Sequence, residues 1–132
     1  MTPPDRPFRG NLLDSFRHAF DGLAYVLRAE RNVRVHLVIA MLVLLAGLWL
    51  GLEPVEWALI AFAIALVLVG ELVNSVTELT IDLVCPHYDI RAKRAKDMVA
   101  AAILVAALAA VFIGVLVLGP PLWGQISAWL GI

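Results

Sequence analysis

Glu71, Asn74, Glu78 and Asp82 follow one another at spacings of three, four and four residues. On an α-helix such spacings lay all four along one stripe. The stripe runs on directly from an apolar stretch, residues 57–70. An ionised carboxylate inside a bilayer costs roughly 2.5–3.5 kcal/mol on insertion scales. A helix with only a structural duty would carry leucine there, so the stripe must face protein, water or a cation. Asp82 suits a solvated bundle edge just outside the lipid. Glu71 does not, because Leu72 and Val73 follow it and it borders the apolar stretch. Donors that are all oxygen suit a hard cation such as Mg²⁺. His18, His36 and His87 are too dispersed for a zinc site. HExxH, GxSxG and Walker A patterns are all absent from the sequence. The complementary sign comes from Arg91, Lys93, Arg94 and Lys96, which stand beside Asp97. Alone, such a basic loop reads as topology and lipid headgroup contact. Acidic residues for a metal and basic residues for phosphates, placed together, describe a phosphoryl-transfer site.

The elements that must hold these residues are apolar. Of 132 residues, 62% are hydrophobic and 16% charged, against about 45–50% and about 25% in ordinary soluble domains. A soluble chain of this size could not cover its surface with so few charges. The net charge of −1 gives no bulk attraction to a phosphate backbone, which argues against a nucleic-acid partner. Cys85 is the single cysteine and permits no intrachain disulfide. All ten Lys and Arg fall into two blocks, at residues 6–34 and 91–96. The loop 51–56 carries only Glu53 and Glu56, and residues 119–132 carry no charge. The positive-inside rule then predicts three spans, with the N-terminus and the second loop cytoplasmic and the C-terminus outside. The expected spans are about 34–52, 56–84 and 95–118, with Arg34 and His36 snorkelling to the interface. About 36 residues rich in arginine precede the first apolar run, which fits no secretory signal.

Ahead of the spans, residues 1–10 read as a flexible leader and 11–29 as a surface helix. Leu12, Phe16, Phe20, Leu23 and Leu27 recur at helical spacing, opposite Asp14, Arg17, Asp21 and Arg28, and Asn11 is the expected N-cap. Residues 119–132, with Pro120, Pro121, Trp123 and Trp129, read as a short interfacial tail. Gly47 and Gly51 form a GxxxG that could admit a close neighbour. The expected architecture is therefore an all-α integral membrane protein with a surface helix and three transmembrane helices.

Three segments carry a resemblance. They are Ala29-Glu30-Arg31-Asn32-Val33-Arg34-Val35-His36, Glu71-Leu72-Val73-Asn74-Ser75-Val76-Thr77-Glu78 with Asp82 following, and Ala95-Lys96-Asp97. In order and spacing, over about residues 11–118, the chain resembles the prokaryotic diacylglycerol kinase family, which includes undecaprenol kinases. Phe16, His18, Ala19 and Gly22 also look like that family's surface helix. The resemblance implies a homotrimer in the bacterial inner membrane, with sites shared between subunits at the cytoplasmic face. It implies transfer of the γ-phosphoryl of ATP, with Mg²⁺, to a lipid hydroxyl. Carried over, Glu71 resembles the general base and Asn74 a helper, while Glu30 and Glu78 resemble metal ligands that also meet the nucleotide. Lys96 and Asp97 resemble nucleotide-binding residues, as do His18, His87 and Asp89, and Asp82 and Arg34 are supporting. Two places depart from the family: Val76-Thr77 replaces its usual Ala-Ile, and Met98-Val99 gives the last span a bulkier start. Glu30-Arg31-Asn32, His36 and Glu56-Trp57 look like the undecaprenol kinase branch, with diacylglycerol the alternative acceptor. A small ion or proton carrier and a scaffold subunit are the competing classes. A relay would place carboxylates deep in several spans, and the first and third apolar runs contain none.

The expected topology is open to a direct test. In a Cys85→Ser background, a membrane-impermeant thiol label should reach Pro54→Cys from outside intact cells and fail to reach Ala92→Cys. The reverse labelling would place the basic loop away from ATP and contradict the phosphoryl-transfer reading.

Overall fold

The structure is a computed structural model and describes residues 11–131, which are mostly helical and include no strand. Four helices follow in order: α1 (Leu12–Ala29), α2 (Arg31–Leu50), α3 (Pro54–Val84) and α4 (Ile90–Leu130). Three of them, α2, α3 and α4, are long and apolar enough to cross a membrane. The expectation for residues 1–10 lies outside the described residues.

α1 is amphipathic, and Leu12, Leu13, Phe16 and Phe20 are exposed along it. A soluble protein would not leave such a face uncovered, whereas a helix lying in a lipid headgroup layer would. Asn11 occupies the N-cap position without a side-chain cap bond. One residue, Glu30, separates α1 from α2. It is extended at φ −97° and ψ 119°, and its N–H donates to the Val26 carbonyl at 2.8 Å. The break turns the chain from the surface helix into the first span. Arg34, expected to snorkel, instead folds back, and its Nη1 donates to the carbonyls of Leu27 (3.2 Å) and Arg28 (2.8 Å). Those carbonyls belong to the last turn of α1, where a cation also meets the negative end of the helix dipole.

At the opposite end, α2 closes on Gly51, whose φ of 70° places it in the left-handed region that glycine adopts without steric cost. A Cβ added at Gly47 would stand 2.9 Å from both Leu52 and the Trp57 ring. The GxxxG pair is thereby accounted for within the chain: Gly47 admits the Trp57 ring and Gly51 makes the turn. Glu53 and Glu56 serve the start of α3, where the Glu53 N–H donates to Glu56 Oε2 at 2.8 Å, with Pro54 in the first helical turn. The buried cluster Leu52, Ile60 and Val117 sits at this end, packed by Val43, Trp57, Ile64 and Ile113.

α3 and α4 overrun the membrane. At 1.5 Å per residue they are about 46 Å and about 61 Å long, against a hydrocarbon core of about 30 Å. α3 therefore carries Glu71 and the rest of the acidic stripe on the helix itself, past the apolar run. α4 packs chiefly on α3 and brings its basic N-terminal turns alongside. It also continues, as one helix, through Pro120 and Pro121 to Leu130. Residues 119–130 are thus the last part of α4 rather than a separate element. The two prolines remove two backbone donors from the helix interior, and α4 nevertheless runs on through them.

Candidate functional site

The buried face of α3 is a single stripe: Ile60, Ala63, Val67, Glu71 and Ser75. Glu71 thus continues the apolar seam that packs the bundle, and only 2% of the residue is exposed. Its Oε1 lies 3.1 Å from Nε2 of His36. His36 reaches it because α2 presents Val33, His36 and Ala40 inward at helical spacing, Val33 and Ala40 being buried. Ser75 Oγ donates to the main-chain carbonyl of Glu71 at 3.0 Å and leaves the carboxylate alone.

One turn on, Asn74 Nδ2 donates to Glu78 Oε1 at 3.1 Å. The pairing holds Glu78, which is half-buried. Asn74 Oδ1 is buried with no partner. A buried acceptor left unpaired costs on the order of 1–3 kcal/mol, so this amide oxygen has capacity for one further donor. Farther out, Asp82 is exposed and accepts from Lys96 Nζ at 2.5 Å across the α3–α4 contact. Lys93 Nζ donates to Asp97 Oδ2 at 2.6 Å within α4. The acidic and basic blocks are therefore brought side by side, and Lys93 and Lys96 are each matched to a carboxylate that phosphate oxygens could replace.

The remaining candidates are placed as follows. His18, on α1, is exposed and borders a crevice shared with Gly22, Leu72, Ser75 and Leu79, so the surface helix closes over the Ser75 end of α3. Glu30 is half-buried at the α1–α2 break. His87 is exposed, and its carbonyl accepts from Cys85 Sγ at 3.2 Å. Asp89 caps α4: its Oδ1 accepts the Arg91 N–H at 2.7 Å, and its Oδ2 accepts Arg91 Nη2 at 2.9 Å. Donation from the Arg91 side chain, and then from its backbone, holds the Asp89 carboxyl below its ordinary range. Asp89 thereby has a structural duty that its place in the loop did not announce.

Among the described residues, no three Asp, Glu, His or Cys side chains converge on one point. Among those residues, a protein-only cage for a tightly held cation is not built. Mg²⁺ carried with a nucleotide needs less, because it binds through one or two carboxylates together with phosphate oxygens and water. Glu30 and Glu78 fit that donor set. His36 is the site residue that sequence reasoning missed. The available signal was its inward register with Val33 and Ala40, masked by its position at the start of a span.

Asp89→Ala should lower the thermal midpoint in detergent, whereas Asp89→Asn, which can still cap, should retain most of it. The folded-state pKa of Asp89 is depressed, so its contribution is present above the ordinary carboxylate range and fades as pH falls through the lowered value. A midpoint for Asp89→Ala equal to the parent at neutral pH would contradict the capping role.

The prokaryotic diacylglycerol kinase family profile matches residues 17–118. A diacylglycerol kinase of Synechocystis is 42% identical over 113 residues, 85% of this chain and 65% of the relative. An undecaprenol kinase of Bacillus subtilis is 37% identical over 108 residues, 82% of this chain and 88% of the relative. A diacylglycerol kinase of Escherichia coli is 30% identical over 94 residues, 71% of this chain and 77% of the relative. The chain thus spans a little under two thirds of the Synechocystis protein and more of the other two. The matched stretch contains the α1–α2 break, the whole acidic stripe and the basic start of α4, and by that match the chain belongs to the prokaryotic diacylglycerol kinase family.

Proposed function

We propose that this chain is an integral-membrane lipid kinase that transfers the γ-phosphoryl group of ATP to a lipid hydroxyl at the cytoplasmic face. The observation that carries the reading is Glu71, a carboxylate buried on the packing seam of α3, about three helical turns before the Asp82–Lys96 pair where the acidic and basic blocks meet. Beside it opens an apolar cavity of about 220 Å³ between α2, α3 and α4, lined by Ile39, Val43, Val67, Leu68 and Val111, with His36 at its edge. A hydrocarbon chain in such a cavity would bring its terminal hydroxyl toward the carboxylate.

In this reading Glu71 accepts the proton of the lipid hydroxyl as its oxygen attacks the γ-phosphorus and ADP departs. General-base assistance of this kind is worth about 10²–10⁴-fold. Glu30 and Glu78 hold the magnesium ion, whose charge, when it is bound, neutralises the phosphate oxygens. Asn74 keeps Glu78 oriented. Lys96 exchanges Asp82 for a phosphate oxygen, and Asp97, His18 and the 87–89 segment border the nucleotide. One chain leaves Glu30 and Glu78 short of a closed site, which supports a homotrimer whose neighbouring subunits complete it. Cyclic symmetry permits three equivalent interfaces of that kind.

Undecaprenol is the proposed acceptor, on the residues that resemble that branch. Diacylglycerol is the second reading, favoured by the name of the 42% identical relative. Purified protein should move label from γ-labelled ATP to undecaprenol in preference to diacylglycerol in a mixed-micelle panel with magnesium. Labelled phosphatidic acid alone would select the second acceptor. No labelled lipid at all, from protein of parental helicity, would contradict the kinase reading.

A further inference from the structure

The proposed base needs to be held, and the polar groups near it are committed elsewhere. Ser75 bonds the Glu71 main chain, Asn74 turns to Glu78, Lys96 to Asp82, and Arg34 to the last carbonyls of α1. Among the described residues, the polar side chain that the structure brings to the Glu71 carboxylate is the imidazole of His36, 3.1 Å away. Its side chain is 26% exposed, that of Glu71 3%, so the imidazole stands between the carboxylate and the outside. The cavity beside it is otherwise lined by apolar residues from α2, α3 and α4, and His36 is the one titratable residue on its wall.

We propose that His36 is a positioning residue for Glu71: with a proton on Nε2 it donates to Oε1, 3.1 Å away, and fixes the carboxylate so that Oε2 is left for the acceptor hydroxyl. The inference rests on Glu71 being the base. The physical need is plain. A glutamate side chain has several rotatable bonds, and a reacting group displaced by about 1 Å can lose about 10²-fold in rate. The imidazole has two, and its backbone is fixed on α2 between buried Val33 and Ala40. A charged acceptor also bonds more strongly than a neutral one, which makes this contact the natural restraint. The interaction ties the first span to the second at the level of the chemistry, and it assigns His36 a duty that α2's apolar composition conceals.

The test compares His36→Phe, which keeps a ring and removes the donor, with His36→Gln, whose side-chain amide can present an N–H at a similar distance. His36→Leu serves as a second donor-free variant in case the phenylalanine does not fold. Full-length proteins are assayed for lipid phosphorylation with helicity and thermal midpoint checked, and Glu71→Gln runs alongside. The donor-free variants should lose about tenfold to hundredfold in kcat, the penalty of a misplaced base, with KM for Mg-ATP unchanged. His36→Gln should recover most of the loss. Parental kcat in a folded donor-free variant would overturn the inference, and so would an equal loss in His36→Gln. If Glu71→Gln is inactive while the donor-free variants turn over normally, only the role of His36 falls. If Glu71→Gln itself turns over normally, the assignment of the base falls with it.

Discussion

A carboxylate on the packing seam of a membrane-crossing helix is the constraint around which the rest of this chain is arranged. Glu71 follows Ile60, Ala63 and Val67 along the buried face of α3, in a position where an unpartnered charge is expensive. The apolar groups on either side cannot compensate it. Its compensation comes from another helix, through His36 of α2. That single contact requires α2 to present one register and no other, with Val33, His36 and Ala40 turned inward. The register is set at the ends of α2. Arg34 secures the α1–α2 break at one end. At the other, Gly47 admits the Trp57 ring and Gly51 reverses the chain.

The same arrangement explains why the chemistry-bearing residues lie at one end of the bundle. The cluster of Leu52, Ile60 and Val117 fills the other end, where Glu53 and Glu56 are committed to the start of α3. Because α3 and α4 are longer than the hydrocarbon is thick, their polar turns stand free of the lipid while remaining part of rigid helices. Asn74, Glu78 and Asp82 are thus set by helix geometry rather than by a loop. The facing cations Lys93 and Lys96 lie on the first turns of α4, whose start is fixed by the Asp89 cap. Sites built on helices hold their groups more closely than sites on loops do.

Much of this is legible in the sequence, for reasons that differ by element. The acidic stripe can be read because helical spacing alone decides which residues share a face. The three crossings can be read because the basic blocks and apolar runs alternate. The partner of Glu71 cannot be read that way. It depends on how α2 is rotated against α3, and a histidine at the start of a span equally suits an interfacial position. Arg34 illustrates the same limit, since a helix C-terminus one turn upstream can claim its guanidinium before the lipid headgroups do. Pro120 and Pro121 stand at the start of the expected tail, where interior prolines ordinarily kink or end a helix, yet α4 continues through them. The capping duty of Asp89 is equally hidden, because it depends on where α4 begins, and helix boundaries are the least legible feature of a sequence.

The central claim is that Glu71 is buried for chemistry and not for folding. The most direct measurement sets turnover against thermal stability in Glu71→Gln, a neutral side chain of nearly the same shape. Turnover should fall by about 10²–10⁴-fold, the worth of a general base, while the thermal midpoint stays level, because the glutamine amide oxygen can still face His36 and the seam keeps its packing. Turnover near the parental value with a sharply lowered midpoint would contradict it, because Glu71 would then be a strut of the bundle and the base would have to be sought elsewhere.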